Sequence, residues 1–274
     1  MIVRYTGGLG NQLFQYAFGK VFEKQNSVRV YHDSFSYVRD KKRKYELGQL
    51  SISKAKRLPW IMIWLLNFLF YLKILPDSIF ETEKQIFVYQ EVCSSDYKKY
   101  FVGNWQHYKY FDEIKDDLRK EFTLKEVTER LNEIMAHLNR FDNSVMVHVR
   151  RGDYLTISDY VVQGREYYEN AMNQCLSKLG SAKFVIFSDD YKWCRENIDN
   201  NMYDVEFMDL GLSAPEDFQL MRGFHNFIIS NSTFSWWPAY LSDGGIKIAP
   251  YRWFTNEETN KNVREALLKE FELF

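Results

Sequence analysis

After residue 140 the sequence alternates between short apolar runs and longer amphipathic stretches, and this alternation strongly limits the possible folds. Strand composition is found at 144–149, 184–187, 205–208, 227–229 and 246–249. Helical patterns lie between these runs, near 165–179, 191–198 and 215–224. Such an order is typical of a parallel sheet covered by helices. We therefore predict an α/β fold for this half of the chain.

The N-terminal part begins in the same way. Residues 2–6 predict a strand, residues 6–12 form a Gly-rich turn, and the next strand is predicted at 28–31. Between them, apolar side chains recur on one helical face at Leu13, Phe14, Ala17, Phe18, Val21 and Phe22. The 274 residues are enough for two domains. We place them at 1–142 and 143–274, with the boundary between a charged helix at 126–139 and the strand at 144–149.

Composition excludes several classes of protein. The formal net charge is −1, so no basic surface indicates a nucleic-acid partner. The three cysteines, Cys93, Cys175 and Cys194, show no CxxC spacing, and the five histidines form no HExxH motif. A disulfide framework or a zinc site is therefore not expected. A strand pattern begins at Ile2, where a secreted protein would have a signal peptide. Together with the cysteine pattern, this start predicts a cytoplasmic protein.

Residues 60–72 are almost entirely apolar, and this run is too short for a membrane span. Lys54, Lys56 and Arg57 precede it and Lys73 closes it. We favour a buried packing helix. The alternative is a helix that lies on a membrane surface, giving peripheral contact through residues 54–73 at the inner face of the cytoplasmic membrane.

Two arginines, Arg150 and Arg151, follow the strand at 144–149. Ligands of α/β proteins bind at the carboxyl ends of the strands. A guanidinium there, planar and always charged, suits a phosphate or a carboxylate. The alternative is a surface loop whose arginines pair with nearby Asp or Glu residues.

The turn at 6–12 allows three interpretations, the simplest being a glycine turn needed only for positive φ and a helix start. Gly8 and Gly10 begin a GxGxxG-like dinucleotide motif, and Asp33 follows the second strand where a ribose-binding carboxylate would lie. However, Leu13 occupies the third glycine position. The amides of Asn11 and Gln12 suit a hydroxyl-rich ligand, because an amide both donates and accepts hydrogen bonds.

Three further groups are candidates. Ser232, Thr233 and Ser235 open a helix after an apolar strand, where free N–H groups and hydroxyls can bind an anion, and Ser232 alone is also a simple N-cap. With Arg150 and Arg151 they would hold a diphosphate from two sides. The Asp217 carboxylate can accept from the N1–H and N2–H₂ edge of guanine, or merely favour a helix start. Asp189 and Asp190 would hold a nucleotide-bound metal ion or cap a helix.

Five motifs, in order, resemble those of bacterial α-1,2-fucosyltransferases of glycosyltransferase family 11. They are GGLGNQLFQYA at 7–17, GNWQ at 103–106 with Tyr110 and Phe111, HVRRGDY at 148–154, FSDD at 187–190 and NSTFSWW at 231–237. The resemblance implies a GT-B-like architecture, with two Rossmann-like domains whose parallel sheets face a cleft. It further implies an inverting, metal-independent and cofactor-free transfer of L-fucose from GDP-β-L-fucose to a sugar hydroxyl.

The resemblance also implies roles for residues. Residues 1–142 would be the acceptor side, using Gly8, Gly10, Asn11 and Gln12, and residues 143–274 would bind GDP-fucose, with the last helix packing back on the first domain. Arg150 would hold the β-phosphate with support from Arg151. His148 and Asp217 would face guanine. The remaining substrate-binding candidates are Asp189, Asp190, Asn231, Ser232, Thr233 and Ser235.

The catalytic candidates are Arg150, Asp153 and Asn11, with Asp153 as the base or as a residue that orients the arginines. The acceptor implied is a galactose-containing glycan, fucosylated at the 2-hydroxyl. Other hypotheses remain at this stage: another linkage or acceptor, a catalytically dead sugar-nucleotide-binding relative, an NAD-dependent oxidoreductase using Asp33, and an adhesive loop using Arg151-Gly152-Asp153.

Overall fold

The computed structural model describes residues 1–26, 28–52, 56–72, 74, 79–92 and 99–274. Its contacts divide the chain into two compact units, Met1–Thr123 (unit 1) and Leu124–Phe274 (unit 2). Both units are built from parallel strands and helices. This confirms the predicted α/β class.

Unit 1 contains a five-stranded sheet in the order β3-β2-β1-β5-β4, with every described pairing parallel. Helix α1 packs on one face, where Phe18 and Phe22 contact Phe101 of the sheet. The strands and helices are β1 (Ile2–Arg4), α1 (Leu9–Asn26), β2 (Tyr31–Asp33), α2 (Ser36–Arg39), β3 (Lys56–Arg57), α3 (Trp60–Tyr71), β4 (Phe80–Thr82), β5 (Tyr100–Val102) and α4 (Lys115–Glu121).

Unit 2 contains a six-stranded sheet in the order β11-β10-β9-β6-β7-β8, again parallel throughout. The central strand β6 is buried from its second residue onward. The strands and helices are α5 (Glu129–Leu138), β6 (Ser144–Val149), α6 (Arg165–Leu179), β7 (Lys183–Ser188), α7 (Tyr191–Asn197), β8 (Asp204–Phe207), α8 (Ala214–Met221), β9 (Asn226–Ile228), α9 (Thr233–Leu241), β10 (Lys247–Ala249), α10 (Glu257–Leu267) and β11 (Glu272–Leu273).

The division between the units falls at 123/124, whereas the sequence indicated 142/143. Helix α5 accounts for the difference, because its side chains bond to unit 2. Arg130 donates to the carbonyl of Leu210, and His137 lies 3.0 Å from Glu206 of β8. Helix α10 also packs within unit 2, where the Trp236 indole donates to the carbonyl of Leu267.

Helix α3 differs from the buried packing helix that we favoured. Of its twelve residues only Ile63 is buried, and Trp60 and Tyr71 are 71% and 83% exposed. The amide of Asn67, the helix's one strongly polar side chain, donates to the Ile63 carbonyl within the same helix. Across the described part of the chain, no helix combines the length and the apolar character needed to cross a bilayer.

Candidate active site

The strand order of unit 2 places its motifs at one position. From β6 the chain continues to β7 and β8 on one side, and then returns to β9 on the other side. In open α/β sheets such a switch point leaves a crevice at the carboxyl ends of the two strands. Arg150 and Arg151 follow β6 at this point, and Ser230–Ser232 follow β9.

Arg150 is held between two carboxylates. Its Nη2 lies 2.5 Å from Asp153 Oδ1 and its Nη1 lies 2.9 Å from Asp189 Oδ2. Gly152 lies beside this contact, since a Cβ there would stand 2.4 Å from Asp189 Oδ2. The turn after β6 therefore needs glycine for Asp189 to reach Arg150.

Arg151 is fixed by different partners. Its guanidinium carbon lies 4.2 Å from the centre of the Trp193 ring, a cation–π contact. Its backbone N–H donates to Asp189 Oδ1, and its Nε lies 3.4 Å from Asp190 Oδ2, an ion-pair distance without hydrogen-bond alignment. Asp190 also caps α7 by accepting from the Trp193 N–H, so it takes the capping role left open by the sequence.

On the β9 side, His148 is 5% exposed, and its Nδ1 lies 2.9 Å from the hydroxyl oxygen of Ser230. Burial, together with the Arg150 cation, lowers the pKa of His148 to about 3. The imidazole is therefore neutral at pH 7, with one nitrogen free to accept a hydrogen bond and the other carrying a proton.

Most side chains of the α9 motif form hydrogen bonds with other groups of the protein. Ser232 accepts from the Phe234 N–H as N-cap, and the Ser235 hydroxyl donates to the Ser232 carbonyl. The Asn231 Nδ2 donates to the carbonyls of Val161 and Trp253, both at 2.9 Å. Thr233 is half-buried at the first position of α9.

Asp217 lies in the first turn of α8. Its Oδ1 is buried and has no hydrogen-bond partner among the described residues. Burial, with a smaller contribution from Glu216, raises the pKa of Asp217 to about 7. Its neighbour Phe218 has its ring centroid 6.0 Å from that of Phe234, which in turn lies 5.8 Å from the His148 ring. Two aromatic rings, Phe218 and Phe234, thus connect the first turn of α8 with His148.

In unit 1 the switch point lies between β1 and β5, and two motifs meet there. The Asn11 Oδ1 accepts from Gln106 Nε2 at 3.0 Å, and Gln15 donates to the Gly103 carbonyl. A Cβ on Gly7, whose φ is +77°, would stand 2.5 Å from Asn11 Nδ2. The glycine thus lets the turn pass close to the Asn11 amide.

Gln12 does not face open space, unlike the ligand contact predicted for it. It is completely buried, and its Nε2 donates to the carbonyls of Gly7 and Lys44. Its Oε1 accepts from the N–H groups of Glu46 and Leu47. Both ends of the amide therefore hold residues 44–47 against the turn. Of the two glycines, Gly8 lies beside Arg43 and Gly10 lies in the first turn of α1.

Asp33 is also committed to structural contacts. It is 1% exposed, and its carboxylate accepts from the Phe35 N–H and from the Tyr100 hydroxyl. A ribose-binding carboxylate has to reach the ligand, so this placement disfavours the dinucleotide interpretation of the turn.

Sequence reasoning missed Trp193, Ser230 and Glu83. Trp193 covers Arg151, Ser230 contacts His148, and Glu83 accepts from the N–H groups of Asn104 and Trp105. Trp193 and Glu83 lie outside the quoted motifs, and all three contact a residue distant in the sequence. The position of Ser230 just before NSTFSWW was the one available signal.

Two α/β units with parallel sheets and polar motifs at both switch points define a GT-B-like α/β fold. The model of glycosyl transferase family 11 matches residues 1–272, and the chain belongs to this family. The chain is therefore a glycosyltransferase.

Relatives of similar length come from Escherichia coli. The chain is 32% identical to an alpha-1,2-colitosyltransferase, covering 95% of this chain and 94% of the relative. It is 29% identical to the O-antigen biosynthesis glycosyltransferase WbnK over 95% and 97% of the two chains. Against the galactoside 2-alpha-L-fucosyltransferase Sec1 of Mus musculus the identity is 28%, over 88% and 64%.

Solved structures share the fold. The fucosyltransferase NodZ from Bradyrhizobium matches with a TM-score of 0.53 and 12% identity, over 88% of this chain and 92% of that one. Arabidopsis thaliana FUT1 in complex with GDP matches with a TM-score of 0.52 and 12% identity, over 90% and 69%. At such identities the likeness supports the fold alone.

Proposed function

We propose that the chain transfers L-fucose, with inversion, from GDP-β-L-fucose to the 2-hydroxyl of a galactose in a glycan. The observation that carries this proposal is the pair of arginines at the switch point of unit 2, within a member of family 11. Relatives named as galactoside α-1,2-fucosyltransferases support the choice of sugar and linkage.

The donor is assigned to unit 2. As the glycosidic bond breaks, negative charge grows on the β-phosphate, and Arg150 stabilises that charge more in the transition state than in the ground state. Arg151 supports it from its stack on Trp193. At the start of α9, Thr233 assists the arginines, while Ser232 caps the helix and Ser235 supports the cap. Because the arginines supply the positive charge, we expect transfer without a divalent metal.

Guanine is assigned to the group formed by Asp217, Phe234 and His148. The ionised Asp217 carboxylate accepts from the N1–H and N2–H₂ edge. Its buried oxygen lacks a donor among the described residues, and guanine would supply one. Asn231, Asp189 and Asp190 position this site by bracing the loops and the arginines, more than by direct contact.

Asp153 has two successive partners in this mechanism. Without donor it neutralises Arg150, and the site carries three carboxylates, Asp153, Asp189 and Asp190, against the two arginines. A diphosphate competes with Asp153 for Arg150, since Asp153 is the most exposed of the three. The displaced carboxylate then accepts the proton of the attacking sugar hydroxyl.

Unit 1 is assigned to the acceptor, with Asn11 as the residue that contacts a sugar hydroxyl. Gly8 and Gly10 keep the turn open beside it, and Gln12 holds the turn in place. The assignment rests on the Asn11 amide, half-buried and oriented by Gln106.

A colitosyl donor is the second candidate, because the 32% identical relative is named as a colitosyltransferase. Colitose is the 3-deoxy form of L-fucose, so both donors would use the same guanosine and diphosphate contacts. The difference lies in one hydroxyl of the transferred sugar.

We place the enzyme in the cytoplasm, at the inner face of the membrane through residues 54–73. The exposed apolar side chains of α3 and the basic residues that flank this segment in the sequence support this contact. Replacing Trp60 and Phe68 by serine should abolish co-sedimentation with anionic vesicles, and unchanged co-sedimentation would refute the contact.

The experiment that tests the function is incubation with GDP-fucose and a panel of galactosides, followed by linkage analysis of the product. An α-linked fucose on the galactose 2-hydroxyl is expected, with EDTA leaving the rate unchanged. A different linkage would refute the regiochemistry, and binding of GDP without any product would indicate a dead relative.

A further inference from the structure

Unit 1 contains a cavity of about 560 Å³ between α3 and the sheet. This volume lies within the range of small-molecule sites. The residues that line the cavity include Arg4, Leu66, Phe70, Phe80, Lys84 and Tyr100. None of the roles assigned above to the donor or acceptor site uses these residues.

The strand register explains the position of the cavity. Ile2, Tyr100 and Phe80 lie in register across β1, β5 and β4, so their side chains share one face of the sheet. Two residues further along, Arg4 and Thr82 lie on that same face. Helix α1 fills the opposite face, where Phe18 and Phe22 contact Phe101. On the α3 side the helix buries only Ile63, and the interface stays open.

The charge of the cavity is positive. The Arg4 Nε is buried and has no hydrogen-bond partner among the described residues, and Lys84 adds a second cation. The one acidic lining residue, Glu81, is neutralised by Lys99 at 2.8 Å and accepts from Gln90. The nearby Asp33 carboxylate accepts hydrogen bonds from the Phe35 N–H and the Tyr100 hydroxyl and forms none with the Arg4 Nε. Arg4 is half-buried with its Nε out of contact with water, and a permanently charged guanidinium in such a position favours an anionic partner.

Part of the cavity wall is apolar. Leu66 and Phe70 contribute from α3, and Phe80 contributes from β4. An inorganic anion would pair with Arg4 and leave these walls against water. A neutral apolar molecule would cover the walls and leave Arg4 without a partner. Only a ligand that combines a negative head with an apolar chain satisfies both parts.

We propose that this cavity binds an amphiphilic anion, with a phosphate or carboxylate head against Arg4 and an alkyl or prenyl chain along Leu66, Phe70 and Phe80. A free single-chain phosphate and a lipid of an anionic bilayer share this chemistry. The site is independent of the glycosyl-transfer proposal, and its occupation is measured by binding alone.

The test is calorimetric titration of the full chain with decyl phosphate below its micelle concentration. Three control ligands each change one property. Inorganic phosphate has no alkyl tail, decyl maltoside has no charge, and decyltrimethylammonium has a positive charge. We expect binding of decyl phosphate at least about tenfold tighter than binding of each of the other three, as a charge-assisted contact implies.

Neighbouring leucines on α3 provide matched variants. Leu66→Trp fills the cavity and should abolish binding, whereas Leu65→Trp changes a 48% exposed side chain and should leave affinity within about twofold. Arg4→Gln should weaken binding about tenfold or more, and Arg4→Lys should retain part of it. Unchanged circular dichroism and unchanged GDP affinity establish that each variant is folded.

Three results would overturn the site: equal binding of decyl maltoside, binding of inorganic phosphate as tight as that of decyl phosphate, or equal loss in Leu65→Trp and Leu66→Trp. Vesicles of phosphatidylcholine and phosphatidylglycerol identify the source of the ligand. If decyl phosphate binds as expected, loss of vesicle binding in Leu66→Trp alone assigns the ligand to the bilayer. Retained vesicle binding then assigns it to a free single-chain anion.

Discussion

Arg150 is the residue on which the proposed chemistry depends most. Its guanidinium is oriented by Asp153 and Asp189 before any donor arrives. Arg150→Ala should lower kcat about 100-fold or more, the scale seen when one preorganised donor to a developing anion is removed. Steady-state rates with GDP-fucose provide the measurement.

The control for Arg150 is Arg119→Ala, because Arg119 forms an exposed ion pair of the same i,i+3 type with Asp116 on α4. That variant should keep normal turnover, since exposed pairs contribute little. Near-normal kcat in Arg150→Ala would contradict its assignment.

Asp153→Asn separates the two roles of Asp153. If the carboxylate competes with phosphate for Arg150, its removal should tighten GDP binding several-fold. If the carboxylate is also the base, kcat should fall and the acid limb of the pH–rate profile should disappear. Calorimetry and the pH–rate profile measure the two effects separately. Weaker GDP binding with an unchanged acid limb would mean that Asp153 only orients Arg150.

Helix α8 carries Asp217, a carboxyl group whose pKa of about 7 makes stability and GDP binding depend on pH near neutrality. Burial raises the folded-state pKa of Asp217 to about 7, above the ordinary value of 3.8, so folding favours the protonated form. The contribution of Asp217 to stability is therefore full below about pH 4 and is lost as the pH rises towards 7. Asp217→Asn should raise the unfolding free energy at pH 8 and change it little at pH 4.

Denaturant unfolding at the two pH values checks this sign. If Asp217 binds guanine, the GDP affinity of the wild type should fall as the pH drops below about 7, because guanine needs the ionised carboxylate as its acceptor. GDP affinity that does not change with pH would remove Asp217 from the guanine site.

Asn231, in the loop after β9, is expected to contribute to the free energy of unfolding. Asn231→Ala removes two hydrogen bonds, a half-buried one to the Val161 carbonyl and a buried one to the Trp253 carbonyl. Each carbonyl keeps a second donor, Gln163 on Val161 and the Val161 N–H on Trp253, so the loss should be about 1 to 2 kcal/mol. Urea unfolding measures the loss, with the exposed Asn201→Ala as a control expected to stay within about 0.5 kcal/mol. Equal stability of the two variants would show that Asn231 does not brace the loop.

The positions of strands and helices could be predicted from the sequence where the apolar periodicity is strong. Strand 144–149 and helix 165–179 agree with β6 and α6 to the residue, because each has a long, regular apolar pattern. Strand β2 begins at Tyr31 in place of 28, since its register is set by pairing with Ile2. Gln12 could not be interpreted from the sequence, because its partners lie about 32 to 35 residues away.

For the whole molecule, the parallel sheets in both units agree with the order of βα patterns in the sequence. The position of the boundary between the units, at 123/124, could not be predicted from composition. Helix α5 has the amphipathic pattern of any surface helix, and only its contacts with Leu210 and Glu206 assign it to unit 2. The exposure of α3 also could not be predicted, because an apolar run is compatible with burial and with a membrane surface.

L-Fucose is the sugar that we propose the enzyme transfers. The most direct measurement compares kcat/KM for GDP-L-fucose and GDP-colitose with the same galactoside, following GDP release and product mass. We expect turnover of GDP-L-fucose at least about tenfold more efficient, since a site that hydrogen-bonds a substrate hydroxyl discriminates against its absence. Preference for GDP-colitose, or release of GDP from neither donor, would contradict it.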